Sequence, residues 1–560
     1  MNKTRRRKSG GAPGKAPVLV ALALGAALAA VPAAGQTPFA NAMAQHLARA
    51  DSRAEALPVA AFYQAAQQQP VWHSAERVEA LARALETLEN DGLDPADYLR
   101  GPLNGPLKGS LGADGGGQPL AQAFARSRDD AEARAAFDVR ATRALLLALD
   151  HLQRGRVDPE QQVPGWETAR PARSYSMARV VAAVNSADIE QALSLARPDL
   201  PAYEALREAL GAHRALAERA SAPLVPAGDD ALRRGDEGDA VTALRRRLAY
   251  WGNPWVLPGD PAAYARIDAE APDLGRFDAE MEAAVKRFQR RHLLDEDGVV
   301  GGKTRRALNA SVRSQMATLR VNLERARWMQ PVVAHRPGVW VDIAGYRLHY
   351  ARPDGERWSS RVIVGRAGRE TPVLHSAITH LTVNPTWTVP PTIWREDALP
   401  QIRRDPGYLR RRNMQVVGLD GARLDPERID WQAPGNVMLR QSAGPGNPLG
   451  RVVVRFPNSQ LIYLHDTPSR GLFKRDRRAL SSGCVRVEGV RELVRMLLAD
   501  TGSRYRLDTL LERRQSDLNV NLPERIPVAL VYLTAWPDES GEVTFRPDIY
   551  RRDEALRRAL

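Results

Sequence analysis

A chain of 560 residues is too long for one hydrophobic core, so several domains are expected, and a hydrophobic share of 44% excludes global disorder. The net charge of +14, from 80 Lys and Arg against 66 Asp and Glu, suits an acidic partner such as a carboxylate-bearing polymer or anionic lipid, and equally suits Arg-biased usage over solvated faces. No nucleic-acid motif and no dense basic run beyond the N-terminus occur, so nucleic acid is excluded as a partner, and a single cysteine excludes an internal disulfide framework.

Lys3, Arg5, Arg6, Arg7 and Lys8 precede an apolar run over 17–31, followed by Ala33-Ala34-Gly35 and Ala42-Met43-Ala44. This is the order of a secretory signal, assigned to 1–36. The run is shorter than the roughly 20 residues that span a bilayer, which favours a cleaved signal over the alternative, a retained inner-membrane anchor. The expected location is the periplasm or cell envelope. A thiol carried into an oxidising compartment is costly unless it has a use.

Residues 37–225 show apolar spacing of three and four, as in Val78, Leu81, Leu85 and Leu88, or Leu145, Leu146, Leu149 and Leu152, which predicts a helical domain. Asp91-Gly92-Leu93-Asp94-Pro95 and Gly155-Arg156-Val157-Asp158-Pro159 each join a glycine stop to an Asp-Pro start. The Gly/Pro-rich stretch 101–117 reads as a surface loop or linker. A separate small helical unit is expected over 229–312. Val241, Leu244 and Leu248, then Ala284, Val285 and Phe288, form its apolar stripes; Asp297-Gly298 is a turn, and 250–276 is a loop insertion. A connecting helix over 316–338 carries Leu319, Leu323 and Trp328.

From Val339 the pattern turns to strands, and a mostly-β domain is expected over 339–560. Trp387 and Trp394 could wall a peptide groove or pack in a core. Residues 392–449 are charged and Arg-rich, with helical hints at Leu399, Ile402 and Leu409 and few strand signals, which suggests a lid. Val528 to Leu533 with Thr534-Ala535-Trp536, and Val543-Thr544-Phe545, read as a closing hairpin before a short helix.

The chemistry concentrates in 463–487, which holds the sole cysteine. Val452, Val453 and Val454, then Leu461 and Tyr463, read as strand residues around a Pro457-Asn458-Ser459 turn, so His465 sits at a strand end. Ser481-Ser482-Gly483 is turn chemistry, and Val485, Val487, Val490, Leu493, Val494 and Leu497 recur at roughly helical spacing. Cys484 is therefore expected on a glycine-kinked loop just ahead of a helix, where the helix terminus, an imidazolium and nearby Arg would lower its thiol pKa. Backbone N–H groups of Gly483 and Cys484 would face a developing oxyanion. Arg486 suits a substrate carboxylate, or a structural pair with a local Asp. Asp466 is a poor orienter of His465, because neighbouring strand residues point to opposite faces. The histidines are scattered and no metal site is evident.

This stretch, His465 followed by S-S-G-C-V-R-V, resembles the catalytic motif of the L,D-transpeptidases of YkuD type. Ser482 stands where the commonest family pattern has a second histidine, and serine is usual there in the large multidomain branch. The two Asp-Pro turns, with Phe62-Tyr63 and Pro70-Val71-Trp72, look like that branch's scaffold domain, and the unit from Leu232 to Asn309 is similar to a peptidoglycan-binding domain, whether it binds wall or serves as a spacer. The implied fold is multidomain α+β: helical scaffold, three-helix peptidoglycan-binding unit, and mostly-β catalytic domain with a capping insertion.

The resemblance implies acyl transfer between peptidoglycan stem peptides. Cys484 is the nucleophile and His465 the base; Gly483 contributes to the oxyanion site, and Arg486, Tyr463, Ser482 and Trp387 bind substrate. No cofactor is implied; other cell-wall synthesis proteins are candidate partners, and carbapenems would acylate Cys484. Rival readings are an L,D-carboxypeptidase or hydrolase on the same stems, a transferase to a lipoprotein lysine, and an inactive wall-binding scaffold.

Overall fold

The computed structural model describes residues 38–50, 57–99, 120–163, 166, 170–219, 221–228, 230–252, 275–333, 337–405 and 407–560. The N-terminal signal (1–36), the Gly/Pro-rich stretch 101–117 and most of the expected insertion at 250–276 lie outside the described residues.

The N-terminal part is helical, as its periodicity predicts. Ser74 caps helix Ala75–Glu86 by accepting from the Arg77 N–H, and that helix buries Val78, Leu81 and Leu85. Asp130 caps helix Ala131–Arg154 in the same way, which buries Leu145, Leu146, Leu149 and Leu152. Both stripes meet in one core. The Tyr63 hydroxyl donates to Asp138 at 2.6 Å, and the Trp72 backbone N–H donates to the same carboxylate at 2.8 Å, so the buried charge is matched by donors.

Helices Asp239–Trp251, Ala279–Arg291 and Gly302–Leu308 form the small unit around Val241, Leu244, Leu248, Val285 and Phe288. Gln289 clamps its Asp-Gly turn, donating to Val299 O at 3.0 Å and accepting from the Gly298 N–H at 2.9 Å. The unit docks on the C-terminal hairpin: Arg291 pairs with Glu542 at 2.7 Å, and the His292 ring stacks on Phe545 with centroids 5.7 Å apart.

Helix Val312–Val333 runs between the parts, ending earlier than the expected residue 338. On one side Arg320 donates to Gly92 O (3.0 Å), the Val157 N–H donates to Glu324 (2.7 Å), and Trp328 Nε1 donates to Val157 O (3.1 Å). The two Asp-Pro turns singled out in the sequence are therefore its seats. Buried Glu324 pairs with Arg327 at 2.6 Å. On the other side Asn322 donates to Thr534 (2.8 Å) and Arg325 pairs with Asp553 (2.7 Å).

The strands are β1 (Gly338–Asp342), β2 (Arg347–Ala351), β3 (Arg357–Gly365), β4 (Leu374–Val383), β5 (Trp387–Thr388), β6 (Met414–Gly418), β7 (Arg423–Leu424), β8 (Val437–Gln441), β9 (Val452–Arg455), β10 (Leu464–His465), β11 (Ala479–Ser481), β12 (Val485–Val487), β13 (Leu518–Val531), β14 (Ala535–Pro537) and β15 (Val543–Phe545). Nine form one sheet, in the order β11-β3-β12-β10-β9-β4-β13-β1-β2, and a further pairing of β2 with β3 closes it. Its apolar face shares a core with helix Val490–Asp500, which contributes Val490, Leu493, Val494 and Leu497. The molecule is thus multidomain α+β.

Four sequence readings change. Residues 528–531 are not part of a closing hairpin but the end of β13, paired with both β1 and β4; only β14 and β15 form the hairpin. The insertion after β4 does begin helically, through Pro391–Ile393, Trp394–Ala398 and Leu399–Arg404, but it also holds a sheet of order β5-β8-β6-β7 around Val416, Leu439 and Ile402. Neither Leu461 nor Tyr463 is a strand residue: β10 begins at Leu464, and Leu461 has φ 55° and is 79% exposed. Val485–Val487 is a strand, not the start of a helix. Its β-branched alternation is satisfied by pairing with β10 on one side and β3 on the other, and the helix begins only at Val490.

Candidate active site

β10 and β12 run parallel with Leu464 opposite Val485 and His465 opposite Arg486, and the Val485 N–H donates to Tyr463 O at 3.1 Å. Side chains alternate along a strand, so Tyr463 and His465 share a face with Cys484 and Arg486. The nucleophile candidate and the base candidate therefore lie on one face of neighbouring strands, one diagonal step apart. Tyr463 joins them: its ring meets the His465 ring edge-on at 5.7 Å, its hydroxyl faces the Cys484 sulfur, and Arg455 sits 5.0 Å over it. No direct Cys484–His465 hydrogen bond occurs; the sulfur lies 3.8 Å from Leu461 O.

His465 is buried, and its Nδ1 lies 2.6 Å from Asp466 O. A carbonyl oxygen only accepts, so Nδ1 carries a hydrogen toward Asp466 O, and the Pro448 carbonyl also lies against the ring. Burial, then the nearby Arg486 charge, holds the imidazole down to about 3, so it is a neutral base at ordinary pH. The Asp466 carboxylate turns elsewhere, accepting from the Arg451 and Thr467 N–H groups at 3.1 and 2.8 Å and pairing with Arg470 at 2.9 Å.

The cysteine loop is held residue by residue. The Ser481 hydroxyl donates to Cys484 O at 2.6 Å and accepts from the Gly483 N–H at 3.2 Å. Gly483 has φ 115°, a conformation that a side chain would strain. Its N–H is taken by the Ser481 hydroxyl, whereas the Cys484 N–H, the other backbone donor expected here, is not. The expected lowering of the thiol by a helix terminus fails, since Cys484 precedes a strand. Burial pushes the thiol up, opposed by hydrogen bonding with Tyr463 and by the charges of Arg455 and Arg486.

Arg486 has no ion pair among the described residues, and its buried Nε has no partner. Burial lowers its pKa, against the pull of Cys484. Of the two readings of this residue, pairing with a local Asp is therefore absent. Ser482 is exposed and accepts from Arg369 Nη1 at 3.1 Å; Arg369 in turn binds Glu396 (3.2 Å) and Asp397 (3.0 Å) at the start of the insertion. Trp387 packs against the insertion's own core, as does Trp394, whose ring meets Trp431 at 6.3 Å; no contact brings Trp387 to Cys484. Sequence reasoning missed Arg369 and Arg455, which carry no local motif; Thr371 stands in the sequence only as part of a Gly365 and Thr371-Pro372 string that resembles the family's, with no role attached to it. Among the described residues no group of His, Cys, Asp and Glu is placed to hold a metal ion.

With this geometry in hand, comparison with known proteins is decisive for the β-rich part: residues 336–507 match the family model of the YkuD L,D-transpeptidase catalytic domain. The chain carries a YkuD-type L,D-transpeptidase catalytic domain. Ahead of the YkuD domain, residues 58–210 match a "Scaffold domain" and residues 237–308 a "Putative peptidoglycan binding domain". A Haemophilus influenzae protein named "Putative L,D-transpeptidase" is 40% identical over 223 residues, which cover 39% of this chain and 45% of that protein. The match thus spans less than half of the relative's length. A crystal structure of an L,D-transpeptidase from Xylanimonas cellulosilytica aligns over 56% of this chain and 100% of that one, at 18% identity and a TM-score of 0.16, too low to bear on the YkuD site.

Proposed function

We propose that the chain is an extracytoplasmic cysteine L,D-transpeptidase that cross-links peptidoglycan stem peptides through their third residues. The observation that carries this reading is the β10–β12 register, which sets Cys484 and His465 on one face with Tyr463 touching both.

In the first step the Cys484 thiol passes its proton to His465, and the sulfur attacks the carbonyl of the third stem residue. The C–S bond forms as the C–N bond to the terminal D-Ala breaks, and the leaving amine takes the proton from His465. An amine of a second stem then attacks the thioester, returns a proton through His465, and releases Cys484. The Cys484 N–H and the Tyr463 hydroxyl face the developing oxyanion. Arg486, with no internal partner, binds a stem carboxylate. The small three-helix unit supplies wall affinity. No helix among the described residues is long and apolar enough to cross a membrane.

The test is mass spectrometry of products from a disaccharide-tetrapeptide. Cross-linked dimer with loss of D-Ala from wild type, and none from Cys484→Ala, is expected. Tripeptide without dimer would show a carboxypeptidase, and no turnover with no carbapenem adduct on Cys484 would sink the enzymatic reading.

A further inference from the structure

The loop 366–371 touches each residue leading into the cysteine. The Arg366 N–H donates to Ser481 O at 2.9 Å, Arg369 Nη1 to Ser482 Oγ at 3.1 Å, and Thr371 Oγ1 to Gly483 O at 2.6 Å. The last contact acts on the peptide that joins Gly483 to Cys484. In a trans peptide the carbonyl and the following N–H point in opposite directions, so fixing one aims the other. Thr371 is fully buried, so the Gly483 oxygen is drawn inward and the Cys484 N–H is turned the opposite way.

We propose that Thr371 is a positioning residue that aims the Cys484 N–H at the oxyanion of the acyl-transfer step; the inference rests on the function proposed above.

The Thr371 hydroxyl has no freedom to do otherwise. It accepts from the Gly365 N–H at 2.8 Å, which leaves its single proton for Gly483 O. Gly365 is itself required, because a Cβ there would collide with Arg369 O and lie 2.6 Å from Thr371 N. From the far end of the chain the Tyr550 hydroxyl closes the arrangement, donating to Gly365 O at 2.7 Å and accepting from the Thr371 N–H at 3.2 Å. Tyr550 is stacked on Tyr532 with centroids 5.3 Å apart, so its position is fixed by packing as well. The Gly365 and Thr371-Pro372 segment and the C-terminal Tyr550 thus converge on one peptide bond. Because the Gly483 N–H is already spent on Ser481, the Cys484 N–H is the backbone donor whose direction matters.

The experiment compares two reactions of Cys484 in the full chain. Carbapenem acylation develops an oxyanion; alkylation by iodoacetamide does not. Thr371→Val keeps the shape and removes the hydroxyl. Losing an oxyanion donor outright costs about 100- to 1000-fold, so letting one swing free should slow acylation at least tenfold or so, with alkylation unchanged. Thr371→Ser should restore acylation. Should Thr371→Val not fold, Tyr550→Phe loosens the same peptide and is read in the same way. Equal acylation by variant and wild type overturns the inference alone, as does a parallel fall in both reactions, which would mean a collapsed loop. Wild type that takes no acyl group on Cys484 overturns the proposed function and this inference with it.

Discussion

Asp466 turns its carbonyl, not its carboxylate, to His465: Nδ1 lies 2.6 Å from that backbone oxygen. The group that orients the His465 ring is therefore main chain, and it survives a change of the side chain at 466 such as Asp466→Asn. Asp466→Asn should keep turnover per folded molecule while losing its charged contacts with Arg470 and Arg491, a destabilisation of about 1–3 kcal/mol read by denaturant melts. Loss of activity on the scale of His465→Ala would show that the carboxylate takes part.

A neutral imidazole beside a raised thiol predicts the pH dependence of the free enzyme. A thiolate–imidazolium pair would make Cys484 reactive at mildly acidic pH, whereas here burial opposes both charges. Alkylation by iodoacetamide should climb steadily into the alkaline range, with no step near the ordinary imidazole value of about 6.5. An acidic plateau would mean that the ion pair exists in the resting state.

Arg486 offers a test in which stability and activity move in opposite directions. Its guanidinium is desolvated and unpaired, a state that costs folding free energy and is retained where a ligand completes it. Arg486→Met should leave the melting temperature unchanged or higher while raising KM for stem substrates. A variant that melts earlier and keeps its KM would assign the residue to structure.

Acid should unfold the chain through its buried histidines. Burial is the first cause of the lowered values at His465 and His292 (about 3) and at His151 and His349 (about 4). Each folded value lies below the unfolded value of about 6.5, so the unfolded chain binds protons that the folded chain refuses. The stability these groups contribute is present above that pH and is lost as pH falls toward 4 and 3. Melting temperature should drop across this window, less steeply in His292→Gln; a flat profile would contradict the burial.

How far the sequence could be read follows from where each signal is stored. Leu145, Leu146, Leu149 and Leu152 announce a helix because their partners lie within two turns, and H-D-T-P with S-S-G-C-V-R-V announces a site because chemistry needs those types locally. Val485-Arg486-Val487 misleads, since three residues fit either period and only the flanking β3 and β10 decide. The insertion's strands Met414–Gly418 and Val437–Gln441 are short and lie among Arg, so their apolar pattern is thin. Thr371 meets Gly483, and Tyr550 meets Thr371, across long separations; both lie in strings that resemble the family's, but nothing local marks these contacts.

Helix Val312–Val333 has its two flanks in two different units, Arg320, Glu324 and Trp328 on the scaffold turns, Asn322 and Arg325 on Thr534 and Asp553. A cut at the start of the YkuD match would remove the partners of Thr534 and Asp553 and bare the apolar ground they cover. The sheet domain is consequently not a portable cassette: calorimetry of the intact chain should record the scaffold, helix and sheet melting under one endotherm.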